Sequence, residues 1–503
     1  MNRAGVYFLA LILLFYTCPG PEASEASGQP YPAYAEKEGE PLPLTLHEVL
    51  ELAVLNNFDI QLAKYDRAIS DADLYDAFSI YDTVMELDAE YTHTELQQTS
   101  SLAGTVSEGY EANVGASKLF RFGTDVEIDY NFSRLRTDSA FARINPAEES
   151  YIKFAFTQPL LKNVFGMNDW GDVRVTKIDV ENYRSETIDT IEEELAGVEK
   201  AYWELLLRIR LADIREKMYE RSEDFYEITE GKEQMGSAEL TDLYAARANK
   251  KLREAELMVE NANADSSQNA LKLLVNGDEA VSAYKIVPTD TITVGGDDVG
   301  LIPALKAAFT NRRDYKRAKK EVEAKDIELK MKKNEMWPQL DLEGSFAING
   351  IRRSFWGSVQ DMTEETNTDY YAGVSLSVPL ERRAEKSALA KARNEKAKAL
   401  LDLKRIEKTI VSDVDSVVKL VNAYRLRAKE YTEIAELQKM KLEEEEKKYR
   451  YGRSDSDRII RFQEDYLNAE IARGTALLDY REALIDLFLE QNTYLYEREL
   501  TVK

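Results

Sequence analysis

The chain has two imidazoles with which to do acid–base or metal chemistry, His47 and His93. They stand far apart, without the three- to five-residue spacing at which paired histidines hold a metal. No nucleophile motif and no glycine-rich phosphate loop occurs in the sequence. Carboxylates are abundant: 92 acidic residues against 66 basic ones give a formal net charge of -26. In so acidic a chain any chosen pair of carboxylates reads as solvated surface rather than as an acid–base couple. The same balance argues against a nucleic-acid partner, whose phosphates call for basic patches. No catalysis and no cofactor is therefore expected, and the chemistry left is that of charges placed along a surface or a passage.

Charges of that kind need elements to position them. The chain opens as an export signal: Arg3, an apolar run from Val6 to Tyr16, then the small residues Gly20, Ala23, Ser24 and Ala26. Residues 1–24 are read as a cleaved signal peptide and 25–43 as an N-terminal extension. The run is too short to span a bilayer, which takes about 20 apolar residues, and no later stretch is longer. A membrane position would therefore require a closed β-barrel. The single cysteine, Cys18, ends the signal. Phe15, Tyr16 and Thr17 before it make a poor lipoprotein site, and lipidation is left open; the mature chain would hold no disulfide.

The remainder reads as one plan used twice. Residues 44–287 and 301–503 each begin with a short helical stretch and a polar turn, Asn56–Ile60 in one and Asn311–Tyr315 in the other. Counting on without a gap sets Met85, Leu87 and Tyr91 against Leu340, Leu342 and Phe346. Gln158-Pro159-Leu160 then matches Val378-Pro379-Leu380, and Met235-Gly236 matches Tyr451-Gly452. The stretch 288–300, with Gly295, Gly296, Asp297 and Asp298, is the linker.

The helices are long. No proline or glycine interrupts Ala384 to Arg450, a length on the order of 100 Å at 1.5 Å per residue. Apolar residues recur there at coiled-coil spacing (Ile406, Ile410, Val414, Val417, Val421). Gly236 and Gly452 supply the left-handed residue that ends a helix, so each long helix turns back as an antiparallel hairpin. The strands alternate. Val126, Ile128, Tyr130 and Phe132 interleave with Asp125, Glu127, Asp129 and Asn131, and similar runs lie at about 84–158 and 339–379. Such alternation suits a wall with lipid on one side and water on the other, and equally a half-buried soluble sheet. Four strands are expected between Met85 and Pro159, with a polar loop over Gln97–Gly109.

These residues resemble the TolC family of outer-membrane efflux proteins over almost the whole mature chain. Leu44-Thr45-Leu46 with Glu48, Ala53 and Asn56-Asn57 is similar to that family's first-helix motif. Trp337-Pro338-Gln339-Leu340, Ser377-Val378-Pro379-Leu380, and Tyr449 with Gly452, Gln463 and Ala469-Glu470 match further motifs in the family's order. The resemblance implies an α+β membrane protein of the Gram-negative outer membrane. Long helical hairpins would form a periplasmic α-barrel, and strands from a homotrimer would close one β-barrel in the outer-membrane lipid. It also implies a periplasmic adaptor and an inner-membrane pump as partners, with efflux and type I secretion left open. The family has two strands in the first unit where this chain has four; the extra pair could enlarge the barrel or extend outside it.

The family's narrowest point is the periplasmic tip. Anchoring on Gly452 and Gln463 places its two tip aspartates at Arg458 and Arg461, a departure, while Asp242 after Gly236 stays acidic. Three residues apart, the two arginines share a helix face. They would form a charged gate, or an inter-helix latch with Asp455, Asp457 and Asp242, or plain surface. The turns at Gly236, Tyr449 and Gly452 would be the adaptor contacts. Tyr110, Phe120, Tyr130, Tyr151 and Tyr371 are candidates for membrane-interface girdles. The rival reading is an exported coiled-coil adaptor or structural protein with a soluble β-domain and no pore.

Overall fold

The structure, a computed structural model, describes residues 41–95, 104–276, 284–364 and 367–500. The expected signal peptide, Cys18 and the extension up to residue 40 lie outside the described residues, as does most of the expected loop at 96–103.

In chain order the elements are β1 (Pro41–Leu44), α1 (Leu46–Asn56), α2 (Phe58–Phe78), β2 (Thr83–Glu95), β3 (Val106–Leu119), β4 (Asp125–Thr137) and β5 (Ala147–Pro159). Then follow α3 (Met167–Gln234), α4 (Leu240–Val275), β6 (Lys285–Pro288), α5 (Leu301–Asn311) and α6 (Arg313–Asn334). The chain closes with β7 (Gln339–Arg352), α7 (Phe355–Glu364), β8 (Thr368–Ser377), α8 (Arg383–Arg450), α9 (Ser456–Glu490) and α10 (Tyr494–Glu497). This is a mixed helix–strand fold dominated by two long helical hairpins. Among the described residues no helix is long and apolar enough to cross a membrane.

The short helices are set by their caps. Thr45 and Glu48 form a reciprocal capping box at the start of α1, satisfying amides that the first turn would otherwise orphan. Asn57 ends α1 in an extended conformation (φ -59°, ψ 128°), and its side chain accepts from the amide of Ile60 at 3.0 Å to begin α2. Arg312 makes the same break between α5 and α6 (φ -52°, ψ 121°). Both polar turns of the sequence therefore mark a bend between two helices.

α3 and α8 each run for 68 residues, roughly 100 Å at the helical rise. Each turns back at a glycine of positive φ, 71° at Gly236 and 69° at Gly452. Amide Ser237 donates to carbonyl Lys232 (2.8 Å), and amide Arg453 to carbonyl Lys448 (2.9 Å). These six-to-one bonds satisfy the last carbonyls of each helix in the manner of a Schellman cap.

Midway along the helices lies the main core, where Leu50, Ile191, Leu195, Tyr202, Trp203, Leu205 and Leu271 are fully enclosed. Buried Glu199 is held there by Arg498 through both guanidinium bonds (2.7 and 2.6 Å) and by Tyr494 and Trp203. A buried carboxylate is tolerable only with such partners, and the arrangement ties the last described turn of the chain to α3. One feature escaped the sequence: β1 and β6 pair in parallel, Pro41–Leu44 against Lys285–Pro288. Residues assigned to an extension and to the end of the first unit thus form one small sheet.

The second sheet has six antiparallel strands in the order β2-β3-β4-β5-β7-β8. Four of them lie between Thr83 and Pro159. β3 begins at Val106, so residues 106–109 are ladder and not loop: Ser107 pairs with Thr94 and Thr137, and Gly109 with Thr92 and Leu135. Both edge strands, β2 and β8, are exposed along nearly their whole length.

Candidate functional site

The sheet has two unlike faces, because side chains alternate along each strand and cross-strand partners share a face. One face carries apolar stretches on every strand: Met85–Tyr91, Tyr110–Ala116, Val126–Phe132, Ile152–Phe156, Leu340–Ile348 and Tyr370–Leu376, taking every second residue. One row across it reads Met85, Ala116, Ile128, Phe154, Phe346, Tyr370. A row beyond the stretch on β4, β5 and β7 is charged, with Arg134, Glu148 and Arg352 in register. Arg134 pairs with Glu148 at 3.6 Å, and Arg352 pairs with Asp361 of α7.

The helix α7 lies on this same face. Ser150 and Ser358 hydroxyls meet at 2.9 Å, and the rings of Phe132 and Phe355 are 5.0 Å apart, edge to face. A Cβ on Gly350 would stand 2.2 Å from the Ser358 carbonyl oxygen, so only glycine lets the helix approach so closely.

The other face is acidic. Glu86, Asp88 and Glu90 on β2, Glu111 on β3, and Asp125, Glu127 and Asp129 on β4 all point to it. Glu149, Asp341, Glu343 and Asp369 continue it, and among the described strand residues Lys153 is its one cation. Of the aromatic girdle candidates, Tyr110 and Tyr130 stand on the apolar face and Phe120 in the turn after β3. Tyr151 and Tyr371 stand on the acidic face.

At the opposite end of the helices the two hairpin turns meet. Tyr449, in the last turn of α8, is buried against Phe225, Ala246 and Ile459. Its ring centroid is 5.1 Å from that of Phe225, and its hydroxyl lies 2.9 Å from Thr229 Oγ1 and 3.3 Å from Ser456 Oγ. Lys232 donates to the Tyr449 carbonyl at 2.7 Å, with its ammonium 3.6 Å from the ring centre. Burial there pushes the Lys232 ammonium below its ordinary pKa, since desolvation disfavours the charged form. Tyr449 was expected on an exposed turn; its side chain is instead the apolar centre of the tip. Gly236 and Gly452 are exposed, with no atom within 4 Å of an added Cβ.

The arginines fall as follows. Arg458 and Arg461 are both exposed on the first turns of α9. Arg458 reaches back across the turn to Glu445 of α8 at 3.3 Å, and not to Asp455, Asp457 or Asp242. Those aspartates have other work or none. Asp455 caps α9 by accepting from the Arg458 amide at 2.8 Å, and Asp242 accepts from the Glu239 amide at 3.2 Å to cap α4. Asp457 is exposed in the first turn of α9. Arg461 lies 5.8 Å from the Phe462 ring and has no carboxylate partner among the described residues. The latch within one chain is therefore Arg458–Glu445.

Glu445 was missed because it sits in a run of four glutamates, any of which could answer the arginine. Helix phase selects it, four residues before buried Tyr449. Its carboxylate also accepts from Ser454 at 2.7 Å and pairs with Lys448 at 3.1 Å. The Ser454 hydroxyl foremost, then Lys448 and Arg458, hold its pKa below the usual range against the effect of burial. Behind the tip, Arg221 grips Glu446 (2.9 Å twice), Asn249 donates to Gln463 (3.0 Å), and buried Arg253 joins Glu256 and Glu464. The Arg253 and Gln463 contacts bind α4 to α9. No group of three or more metal-ligating side chains occurs among the described residues.

The fold is that of solved outer-membrane channels. The chain is similar to the outer membrane channel CmeC of Campylobacter jejuni, with TM-score 0.66 and 14% identity over 91% of this chain and 90% of that one. It is similar to the outer membrane protein VceC of Vibrio cholerae, with TM-score 0.64 and 15% identity over 91% and 97%. The open-state MtrE outer membrane channel of Neisseria gonorrhoeae gives TM-score 0.63 and 14% identity over 89% and 88%. The sequence matches no protein-family model and no curated protein.

Proposed function

We infer that this chain is a channel protein of the TolC type, one of three identical subunits that form a passive exit duct across the periplasm and outer membrane of a Gram-negative bacterium. The observation that carries this reading is a sheet apolar on one face and acidic on the other, joined end-on to helical hairpins of about 100 Å. Lipid against the apolar face and water against the acidic one satisfies both. A soluble sheet packed on a core would have its apolar face covered, yet Met85, Leu87, Val374 and Leu376 are all more than half exposed.

The unpaired edges of β2 and β8 support assembly with further copies, since open edges are not tolerated in lipid. In this reading the sheets of three chains close a β-barrel and their hairpins close an α-barrel that narrows at the Tyr449 tip. Residues 44–287 and 301–503 are two copies of one plan joined by 288–300. The matching helix lengths of 68 and 36 against 68 and 35 residues support this. A periplasmic adaptor would engage the turns at Gly236 and Gly452, and an inner-membrane pump for efflux or type I secretion would supply energy and choose the cargo.

The test is single-channel current through the purified protein in planar bilayers, with extraction of native membranes by salt, alkali and detergent. Discrete steps together with extraction by detergent alone are expected. A protein that leaves membranes in alkali and never conducts would instead be the pore-free coiled-coil adaptor.

A further inference from the structure

The sequence leaves open whether the additional hairpin in the first unit belongs to the barrel or stands outside it. The structure carries an answer, which rests on the channel reading above. The apolar stretches do not sit at one level of the sheet. Followed through the cross-strand partners and expressed as positions on β2, their midpoints run 88 on β2, 88 on β3, 86 on β4, 85 on β5, 83 on β7 and about 82 on β8.

The band therefore drifts steadily, by six residues (88 to 82) over five strand-to-strand steps. At roughly 3.3 Å per residue and 4.8 Å per strand, strands crossing a flat slab with that drift are tilted by about 40°, inside the range of about 35–45° for closed membrane barrels. β2 and β3 lie on the same line as the other four. A hairpin projecting into water would have no cause to keep an apolar band at all, still less one continuing the common tilt. Its other face continues the acidic wall as well, through Glu86, Asp88, Glu90 and Glu111.

We propose that all six strands are barrel wall, so that three chains close a barrel of eighteen strands (three times six), with β8 of each chain paired to β2 of the next. Six is even, so β8 and the following β2 run antiparallel as their neighbours do. The alternative, with β2 and β3 outside, closes twelve strands with β4 as the edge. Barrel diameter grows about linearly with strand number, so the proposed bore is roughly 1.5 times wider. That is the width at which a barrel holds an open aqueous channel, and the outer section does not limit passage; the helical tip does.

Continuing the drift across the junction sets the β8 residues around Val374 beside those around Leu87 of the next chain. Cys18 is the single cysteine of the sequence, so replaced by serine it leaves a clean background. The experiment combines Leu87→Cys in turn with Ala372→Cys, Val374→Cys and Leu376→Cys. Membranes are then oxidised, and covalent dimers and trimers are scored on denaturing gels beside the bilayer conductance of each variant. Strong cross-linking for one of these pairs, centred on Val374, is expected. Cross-linking of Tyr130→Cys with Val374→Cys instead would place the edge at β4 and overturn the proposal, as would a conducting protein in which no Leu87 pair links. Loss of conductance and alkali extraction already in the cysteine-free parent would overturn the channel reading itself.

Discussion

The hydroxyl of Tyr449, at the end of one 68-residue helix, lies 2.9 Å from Oγ1 of Thr229, near the end of the other. Both groups are buried, so neither exchanges this bond for water without the tip parting. Tyr449→Phe keeps the ring against Phe225 and removes the bonds to Thr229 and Ser456, at a cost of about 1 kcal/mol. Tyr449→Ala opens a cavity and costs about 3–5 kcal/mol. In bilayers the phenylalanine variant is expected to open more often at unchanged full conductance. An opening frequency equal to that of the parent would show that the pair does not hold the tip shut.

The same turn predicts a pH response. Glu445 has a lowered pKa, owed first to the Ser454 hydroxyl and then to Lys448 and Arg458. A group whose pKa is depressed on folding stabilises the fold above its unfolded value, and that contribution disappears as pH falls through the folded value. The tip should therefore hold at neutrality, begin to loosen as pH falls through the ordinary carboxylate range, and have lost this contribution below it. Current recorded at stepwise lower pH should rise, and Glu445→Gln should already show the raised current at neutral pH. A parent whose current is flat through acid pH would remove Glu445 from any part in closure.

Much of this was legible beforehand, and the reasons differ by element. Helix length is written locally, in the absence of glycine and proline from Ala384 to Arg450, and the turns at Gly236 and Gly452 follow from backbone freedom. Strand faces are written with period two, so Val126 to Phe132 gave the apolar side directly. Long-range pairing is not local: nothing at Pro41 announces Lys285 as its neighbour, and nothing in a run of glutamates selects Glu445 for Arg458. Tyr449 was misplaced because a tyrosine beside a turn glycine looks exposed until the other hairpin supplies Phe225 and Thr229 to cover it.

Arg458 and Arg461 separate by partner. The Arg458–Glu445 pair is half exposed on the arginine side, so its loss costs at most about 1 kcal/mol, and the thermal midpoint of Arg458→Ala should fall only slightly. Arg461 makes no ion pair among the described residues, and Arg461→Ala should leave stability unchanged. If the two line the closed end of a duct, the double variant Arg458→Ala/Arg461→Ala should shift ion preference towards cations in a salt-gradient measurement. Unaltered conductance and reversal potential in the double variant would make both arginines ordinary surface.

The acidic face of the sheet predicts preference along the rest of the duct. Carboxylates on all six strands, opposed among the described strand residues by Lys153 alone, give the wall a strong negative potential, which draws cations wherever it is not screened. Screening sets the range: about 10 Å at 0.1 M salt and about 3 Å at 1 M. Reversal potentials should therefore show cation preference that is marked at 0.1 M and nearly gone at 1 M. Glu127→Gln/Asp129→Asn, which removes two charges at mid-wall without touching the apolar face, should lower it at 0.1 M and leave stability within about 0.5 kcal/mol. Preference that persists at 1 M, or that ignores this variant while responding to the tip arginines, would place the selecting charges at the tip and leave the acidic face facing a passage too wide to matter.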